Sequence, residues 1–267
     1  MTSVGSQLAN DQRSFIDLAV NSHYITRQRS KVWASFPFVP STLTMGVLQW
    51  LLVATSTTFN FLSLLDTPPT NSPVTCLSNS TSVVDLVSCL QAYVVPSDYY
   101  TEASYNAAQP TAEQEQDWAL AIQALLDVDS EQGCTTERVV PAGIRDAYSV
   151  STFQEGEDSA PYCVLYEHTA KDDVYMKGWG FMLTRMPAEA TTSLHLSAPH
   201  PHYDMYTPEQ AGSVFSSVGA RSLAVAGRRR TAWLGGQSPC IHGKAKYYAT
   251  DPAHNDVRSL LLGSFVY

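Results

Sequence analysis

The sequence predicts an α/β fold, a mixed sheet flanked by helices, and three observations carry that expectation. Helical spacing of apolar residues marks two stretches between residues 81 and 126. Short apolar runs bounded by turn residues take over from about residue 160, and their order there is strand, loop, helix, strand. Such an order favours a right-handed crossover within one sheet, with ligands gathering beyond the carboxyl ends of the strands.

The chain begins with a polar extension, residues 1–42, containing Arg13, Arg27, Arg29 and Lys31. Leu43–Leu65 follows as 23 residues without a charge, a length that can span a bilayer with some tilt. Its Thr/Ser cluster and Asn60, with Met45 at the front edge, fit the apolar part of a signal peptide. The basic residues before it fit a signal anchor, which would tether the protein to a membrane through 43–65. Either reading sends the remainder out of the cytosol, to a secreted or membrane-anchored extracellular location.

Residues 66–75 (DTPPTNSPVT) read as a Pro-rich linker, and residues 76–267 as a single α/β domain of a size typical for one core. Behind the linker, Val83, Val84, Val87 and Leu90 recur at helical spacing and predict a helix near 81–93. Thr111 and Gln114 form a capping-box pattern that opens a second helix, with Trp118, Ile122, Leu125 and Leu126 on one stripe. Tyr162–His168 and Gly178–Thr184 predict neighbouring strands around a charged loop, Lys171-Asp172-Asp173. A strand at Ser193–Ser197 follows. Next comes a helix opened by Thr207 with Pro208 at its first position and Gln210 completing a capping box, then strands at Ser222–Ala226 and Lys246–Ala249.

All five cysteines, Cys76, Cys89, Cys134, Cys163 and Cys240, lie beyond the apolar stretch. In an oxidising compartment the simplest pairing is Cys76–Cys89 and Cys134–Cys163, with Cys240 left over. The sequon Asn79-Ser80-Thr81 marks a glycoprotein candidate. No Cys-x-x-Cys pair is present, so a cysteine-based zinc site has no support.

Charge narrows the function classes. With 25 acids against 16 bases and a net charge of −9, the chain lacks the basic face that phosphate neutralisation requires, which excludes nucleic acid as a partner. The charge is also uneven: residues 98–173 carry −13 and residues 174–267 carry +4. The acidic middle reads as a solvated face of helix and loops. The basic end is the part suited to an anionic ligand.

Chemistry concentrates in Ala198-Pro-His-Pro-His-Tyr-Asp204, the loop after the Ser193–Ser197 strand. Two imidazoles and a carboxylate fall within five residues of a chain that has seven histidines. His200 and Asp204 can reach one divalent ion if the loop curls, and His254 in Asp251-Pro-Ala-His254 is the best third ligand. Three protein ligands with water in the open position make a catalytic zinc site. Asp251 would then orient a ligating imidazole. The competing reading is a pair of turn histidines held by prolines. Arg228-Arg229-Arg230 reads either as solvated or paired arginines, or as the source of a bidentate contact to a carboxylate.

The run His200-Pro-His-Tyr-Asp204, with Phe215, Gly219-Ala220, Ala226-Gly227, Arg230-Thr-Ala232 and Asp251-Pro-Ala-His254, resembles a family of secreted, largely uncharacterised fungal and bacterial proteins. More distantly it is similar to zinc amidohydrolases of the carboxypeptidase-like fold, such as poly-γ-glutamate hydrolases and N-formylglutamate amidohydrolases. The resemblance spans roughly residues 160–256. It implies Zn2+ held by His200, Asp204 and His254, with Arg230 anchoring a substrate carboxylate and Arg228 or Arg229 as substitutes. It also implies a small-molecule or peptide substrate bearing that carboxylate.

One departure matters. The family's general base lies beyond the last metal ligand, and here the single acid after His254 is Asp256, two positions on and better placed as a local hydrogen-bond partner. The chain therefore reads as a carboxypeptidase-like fold short of its C-terminal part, with Arg258–Tyr267 as a last strand. Loss of a general base lowers a rate about 10²–10⁴-fold. Two functions follow: a secreted zinc hydrolase of an amide or peptide bond next to a carboxylate, weakened by that loss, or a non-catalytic disulfide-stapled accessory protein linked to fungal secondary metabolism. Other catalytic classes lack a motif, since no Gly-x-Ser-x-Gly, Walker A, His-Glu-x-x-His or Rossmann fingerprint occurs. A Cys240/His242 or Cys240/His254 nucleophile pair is conceivable, but extracellular cysteines are more often oxidised or buried.

Overall fold

A computed structural model describes residues 72–157, 159–236 and 248–251. The apolar stretch 43–65, Cys240, His254, Asp256 and the terminal stretch 258–267 lie outside the described residues. Among those described, no helix is long and apolar enough to cross a membrane.

Six α-helices and seven strands are present among the described residues: α1 (Pro73–Asn79), α2 (Val83–Gln91), α3 (Glu102–Ala108), α4 (Ala112–Leu126), α5 (Thr136–Val139), β1 (Tyr148–Phe153), β2 (Tyr162–Glu167), β3 (Ala170–Lys171), β4 (Val174–Tyr175), β5 (Phe181–Arg185), β6 (His195–Ala198), α6 (Thr207–Ser217) and β7 (Ser222–Val225). The main sheet runs β1-β2-β5-β7-β6. Only β6 and β7 pair in parallel, and the other neighbours are antiparallel, so the sheet is mixed as expected.

Helices cover both faces, and the strand alternation shows how. Along β2, Tyr162, Val164 and Tyr166 join a core with α1, α2, α3 and α6, whereas Cys163 and Leu165 join a second core with α4 and α5. Phe181 and Leu183 of β5, and Leu223 and Val225 of β7, repeat the first pattern; Met182 and Ala224 repeat the second. A strand buried on both faces needs an unbroken apolar run, which is why β2 reads Tyr-Cys-Val-Leu-Tyr with no polar alternation.

Local signals explain the helix starts. Ser82 accepts the Asp85 N–H at 3.1 Å and caps α2. Thr111 and Gln114 exchange the two bonds of a capping box at the head of α4. The expected linker ends sooner than the sequence suggests: Ser72 caps α1, and Pro73 and Cys76 are buried, so the helix belongs to the domain. Strand structure also begins earlier, with β1 pairing along its whole length to β2.

The head of α6 corrects the capping-box expectation. Thr207 is already helical, and Tyr206, in the left-handed region at φ 62°, occupies the cap position without a side-chain bond. The first helical bond shows why: Gln210 N–H donates to the Tyr206 carbonyl at 2.9 Å, one residue before the expected cap.

Disulfides join Cys76 to Cys89 and Cys134 to Cys163, the pairing expected from their spacing. The first ties α1 to α2. The second ties the α4–α5 connection to β2.

Candidate functional site

Because β6 and β7 are parallel, the loops that leave their carboxyl ends emerge on one edge of the sheet. One loop carries residues 199–206 and the other Arg228–Arg230. Both are held by backbone hydrogen bonds. After β6, the Tyr203 and Asp204 N–H groups donate to the His200 carbonyl at 3.2 and 3.1 Å, which curls the loop and returns Asp204 to His200. After β7, the segment 95–100 runs alongside: Val95 N–H donates to Gly227 O, Arg229 N–H to Val95 O, Asp98 N–H to Thr231 O and Tyr100 N–H to Ala232 O, all at 2.9–3.0 Å.

A third segment, Tyr248–Asp251, closes onto this edge. Thr250 Oγ1 donates to the Arg230 carbonyl at 2.8 Å and accepts the Trp233 N–H at 3.3 Å. Tyr105 of α3 donates its hydroxyl to Ala249 O at 3.2 Å, and its ring packs 4.7 Å from that of Trp233. The expected strand at 246–249 is therefore described only at its end, where Ala249 N–H donates to Gly236 O.

These three segments bring four charged side chains together. His200 Nδ1 lies 2.9 Å from Asp204 Oδ2, and Nε2 lies 3.0 Å from Asp251 Oδ1. Asp251 is completely buried and also faces Arg230, its Oδ2 3.2 Å from Nε in an ion pair that is not aligned as a hydrogen bond. The Arg230 guanidinium lies 4.5 Å above the Tyr203 ring, a cation–π contact. The cluster has an inside and an outside, for the Asp204 side chain is 45% exposed whereas that of His200 is 11% exposed.

Carboxylates only accept hydrogen bonds, so a histidine between two of them is best satisfied with a proton on each nitrogen. Burial lowers the His200 pKa, but the hydrogen bonds and charges of Asp251 and Asp204 outweigh it and hold the pKa above 6.5. The arrangement is a buried imidazole whose charged form is favoured, one edge fixed by Asp251 and the other meeting Asp204 near solvent.

The structure thus brings His200, Asp204 and Arg230 together, sets Asp251 against an imidazole as the sequence suggested, and adds Tyr203. Asp251 sits on the inner edge of His200. His254 and Asp256 lie outside the described residues. Asp204 and Asp251 meet opposite ring nitrogens, so an ion at either nitrogen would reach one of the two. Among the described residues no group of three or more His, Cys, Asp or Glu side chains could hold a metal ion. The expected zinc set includes His254, which lies outside the described residues.

The other basic and imidazole residues have local duties. Arg228, expected as a solvated arginine or a substitute anchor, is 5% exposed and donates from Nε to Gly178 O at 3.0 Å. His202, at φ 59°, donates from Nε2 to the Gln91 carbonyl at 2.7 Å and joins the loop to α2. Two non-glycine residues with positive φ in one loop, His202 and Tyr206, are unusual, and such backbone tends to mark functional segments. The same loop exposes Tyr203, Met205 and Tyr206.

Sequence reasoning missed one further group on this edge. Glu167 ends β2 fully buried, and its carboxylate accepts the N–H groups of Lys177 at 2.6 Å and Gly178 at 2.8 Å. The signal was a lone acid closing an otherwise apolar strand. Through Gly178, Glu167 supports the carbonyl that holds Arg228.

Compared with protein-family models, curated proteins and solved structures, the chain shows no significant match.

Proposed function

We propose that this chain is an exported hydrolase that cleaves an amide or peptide bond next to a carboxylate, with His200 and Asp204 as its acid–base pair. The observation that carries the reading is the placement of His200 between a buried carboxylate and a half-exposed one. Amide hydrolysis needs a proton delivered to the leaving nitrogen and a proton removed from water. His200, protonated and fixed by Asp251, supplies the first from Nδ1 once a substrate nitrogen takes the place of Asp204 there. Asp204, near solvent, accepts the second. Arg230, over the Tyr203 ring and partly exposed, offers positive charge to the substrate carboxylate.

The proposed resemblance to carboxypeptidase-like amidohydrolases supports the same reaction class, and the mixed sheet flanked by helices is compatible with it. The two disulfides support export to an oxidising compartment. Zinc, where it is bound, would be held by His200, Asp204 and His254, the set the resemblance implies.

A panel of N-acyl and γ-glutamyl compounds tests the reading. Wild type is expected to hydrolyse at least one of them, His200→Ala and Asp204→Asn to lose about 10²–10⁴-fold in kcat, and Arg230→Ala to raise KM for carboxylate-bearing substrates. Absence of turnover in the pure, folded wild type, with and without added zinc, overturns it. Zinc content of wild type and His254→Ala decides the metal separately.

One observation favours the non-catalytic alternative: His200 has a carboxylate on each nitrogen and Arg230 is already paired, so the cluster closes on itself as a structural clasp. A folded, inactive wild type that unfolds on Asp251→Ala is the result that reading expects.

A further inference from the structure

We propose that Asn79 carries an N-linked oligosaccharide, attached while the chain is still unfolded. The inference rests on the export reading, and it is independent of whether the candidate site is catalytic. Asn79-Ser80-Thr81 is the only Asn-X-Ser/Thr run in the 267 residues. Asn79 is the last residue of α1 and is exposed, and at Ser80 the chain leaves the helix in extended geometry, φ −81° and ψ 145°. A bulky polar group here displaces nothing from the core, whose α1 residues are Pro73 and Cys76.

The position also leaves the candidate site open. The α1–α2 corner lies at the start of α2, and the contact to the site loop, Gln91 to His202, lies at its end. The nine residues of α2 separate the two by about 13 Å at 1.5 Å per residue.

The chemistry is a glycosyl transfer. The Asn79 carboxamide nitrogen bonds to the anomeric carbon of an oligosaccharide carried on a lipid diphosphate; the anomeric C–O bond breaks, the carrier leaves as its diphosphate, and the amide gives up one proton. The hydroxyl two residues on takes part in acceptor recognition. In the folded chain that hydroxyl, Thr81 Oγ1, donates to Oδ2 of Asp85 in the first turn of α2 at 2.7 Å, and the Cys76–Cys89 disulfide closes around the sequon. Thr81 is therefore available before α2 and the disulfide form, and committed afterwards.

Expression of the full 267-residue chain in a eukaryotic secretory host tests this, with location, thiol state and sensitivity to peptide N-glycosidase read together. The expected result is an exported, disulfide-bonded protein whose mass falls on glycosidase treatment, with Asn79 converted to Asp. Asn79→Gln and Thr81→Ala should both appear at the deglycosylated mass, and Thr81→Ser should keep the glycan. An exported, disulfide-bonded wild type with no mass change overturns the glycan while sparing the export reading. A reduced chain retained in the cytosol overturns both. For the timing, unglycosylated protein offered to a purified oligosaccharyltransferase should accept sugar only after reduction and unfolding; equal transfer to the native form overturns that part.

Discussion

His200 and Asp251 stand 51 residues apart in the chain and meet at 3.0 Å, the imidazole Nε2 against a carboxylate with no solvent exposure. Their meeting joins the loop after β6 to the segment that follows β7, and it determines the electrical character of the site. A buried carboxylate facing both an imidazole and a guanidinium is stable only while its partners hold the balancing charge.

Removing that carboxylate should therefore be costly. Asp251→Ala is expected to lower the unfolding free energy by about 3–5 kcal/mol, the range for breaking a buried pair from one side. Asp204→Ala, losing a carboxylate that water already half screens, should cost about 1 kcal/mol or less. Urea unfolding of the two variants beside wild type checks the order. An equal loss in both would contradict the inside–outside description of the cluster.

His200 should leave a pH signature of definite sign. Its folded-state pKa lies above 6.5, so its contribution to stability is complete below that value and disappears as pH rises through the folded pKa. NMR titration of the His200 ring should place its midpoint above 6.5 in wild type, and lower in Asp251→Asn.

Glu167 acts in a different window. Burial pushes its carboxyl up to about 7, against the opposing hydrogen bonds from Lys177, Gly178, Thr169 and Tyr148. The folded protein keeps a proton that the unfolded chain releases near 4.5, so stability should fall as pH rises from about 4.5 to 7, by about 3 kcal/mol in all. Glu167→Gln should flatten that slope. Below pH 4.5 it should be less stable than wild type, because its amide nitrogen cannot accept from one of the two backbone N–H groups, and the deficit should shrink as pH rises.

Close backbone approach at the site edge gives a steric test. A Cβ on Gly227 would lie 2.4 Å from Gly180 N and 2.6 Å from Gly178 C, both backbone atoms. Gly227→Ala should lower the unfolding free energy by about 1–3 kcal/mol. Gly133→Ala, where the added carbon meets nothing nearer than 3.5 Å, is the control expected to stay near wild type in thermal melts.

Each disulfide should also be measurable. Replacing Cys76 and Cys89, 13 residues apart, is expected to cost about 3 kcal/mol; replacing Cys134 and Cys163, 29 apart, should cost somewhat more. Unfolding midpoints of the two double variants give the comparison, and an unchanged midpoint in either would show that its closed loop does not restrain the unfolded chain.

Much of this architecture was legible from local pattern. The apolar run of β2, the Thr111–Gln114 capping box of α4 and the strand–helix–strand order of β6, α6 and β7 depend on neighbours within a few residues, and the cysteine pairs follow the simplest order along the chain. Where local rules failed, tertiary contacts had won. Phe153 of β1 is out of alternation with Tyr148 and Val150, yet all three are buried, Phe153 in the core on the other face. Tyr206 takes the α6 cap from Thr207 in a loop already tied to α2 through His202.

The site divides along the same line. His200 and Asp204 were legible as a pair because they lie four positions apart in one curled loop, and Arg230 because it leaves the neighbouring strand. The place of Asp251 at the inner edge of His200, the burial of Arg228 and the support from Glu167 were decided by which strand ends the sheet brings side by side. Spacing along a chain restricts only what a residue can reach locally. Charges held by residues fifty positions apart acquire their partners, and so their protonation, only when the fold buries them together.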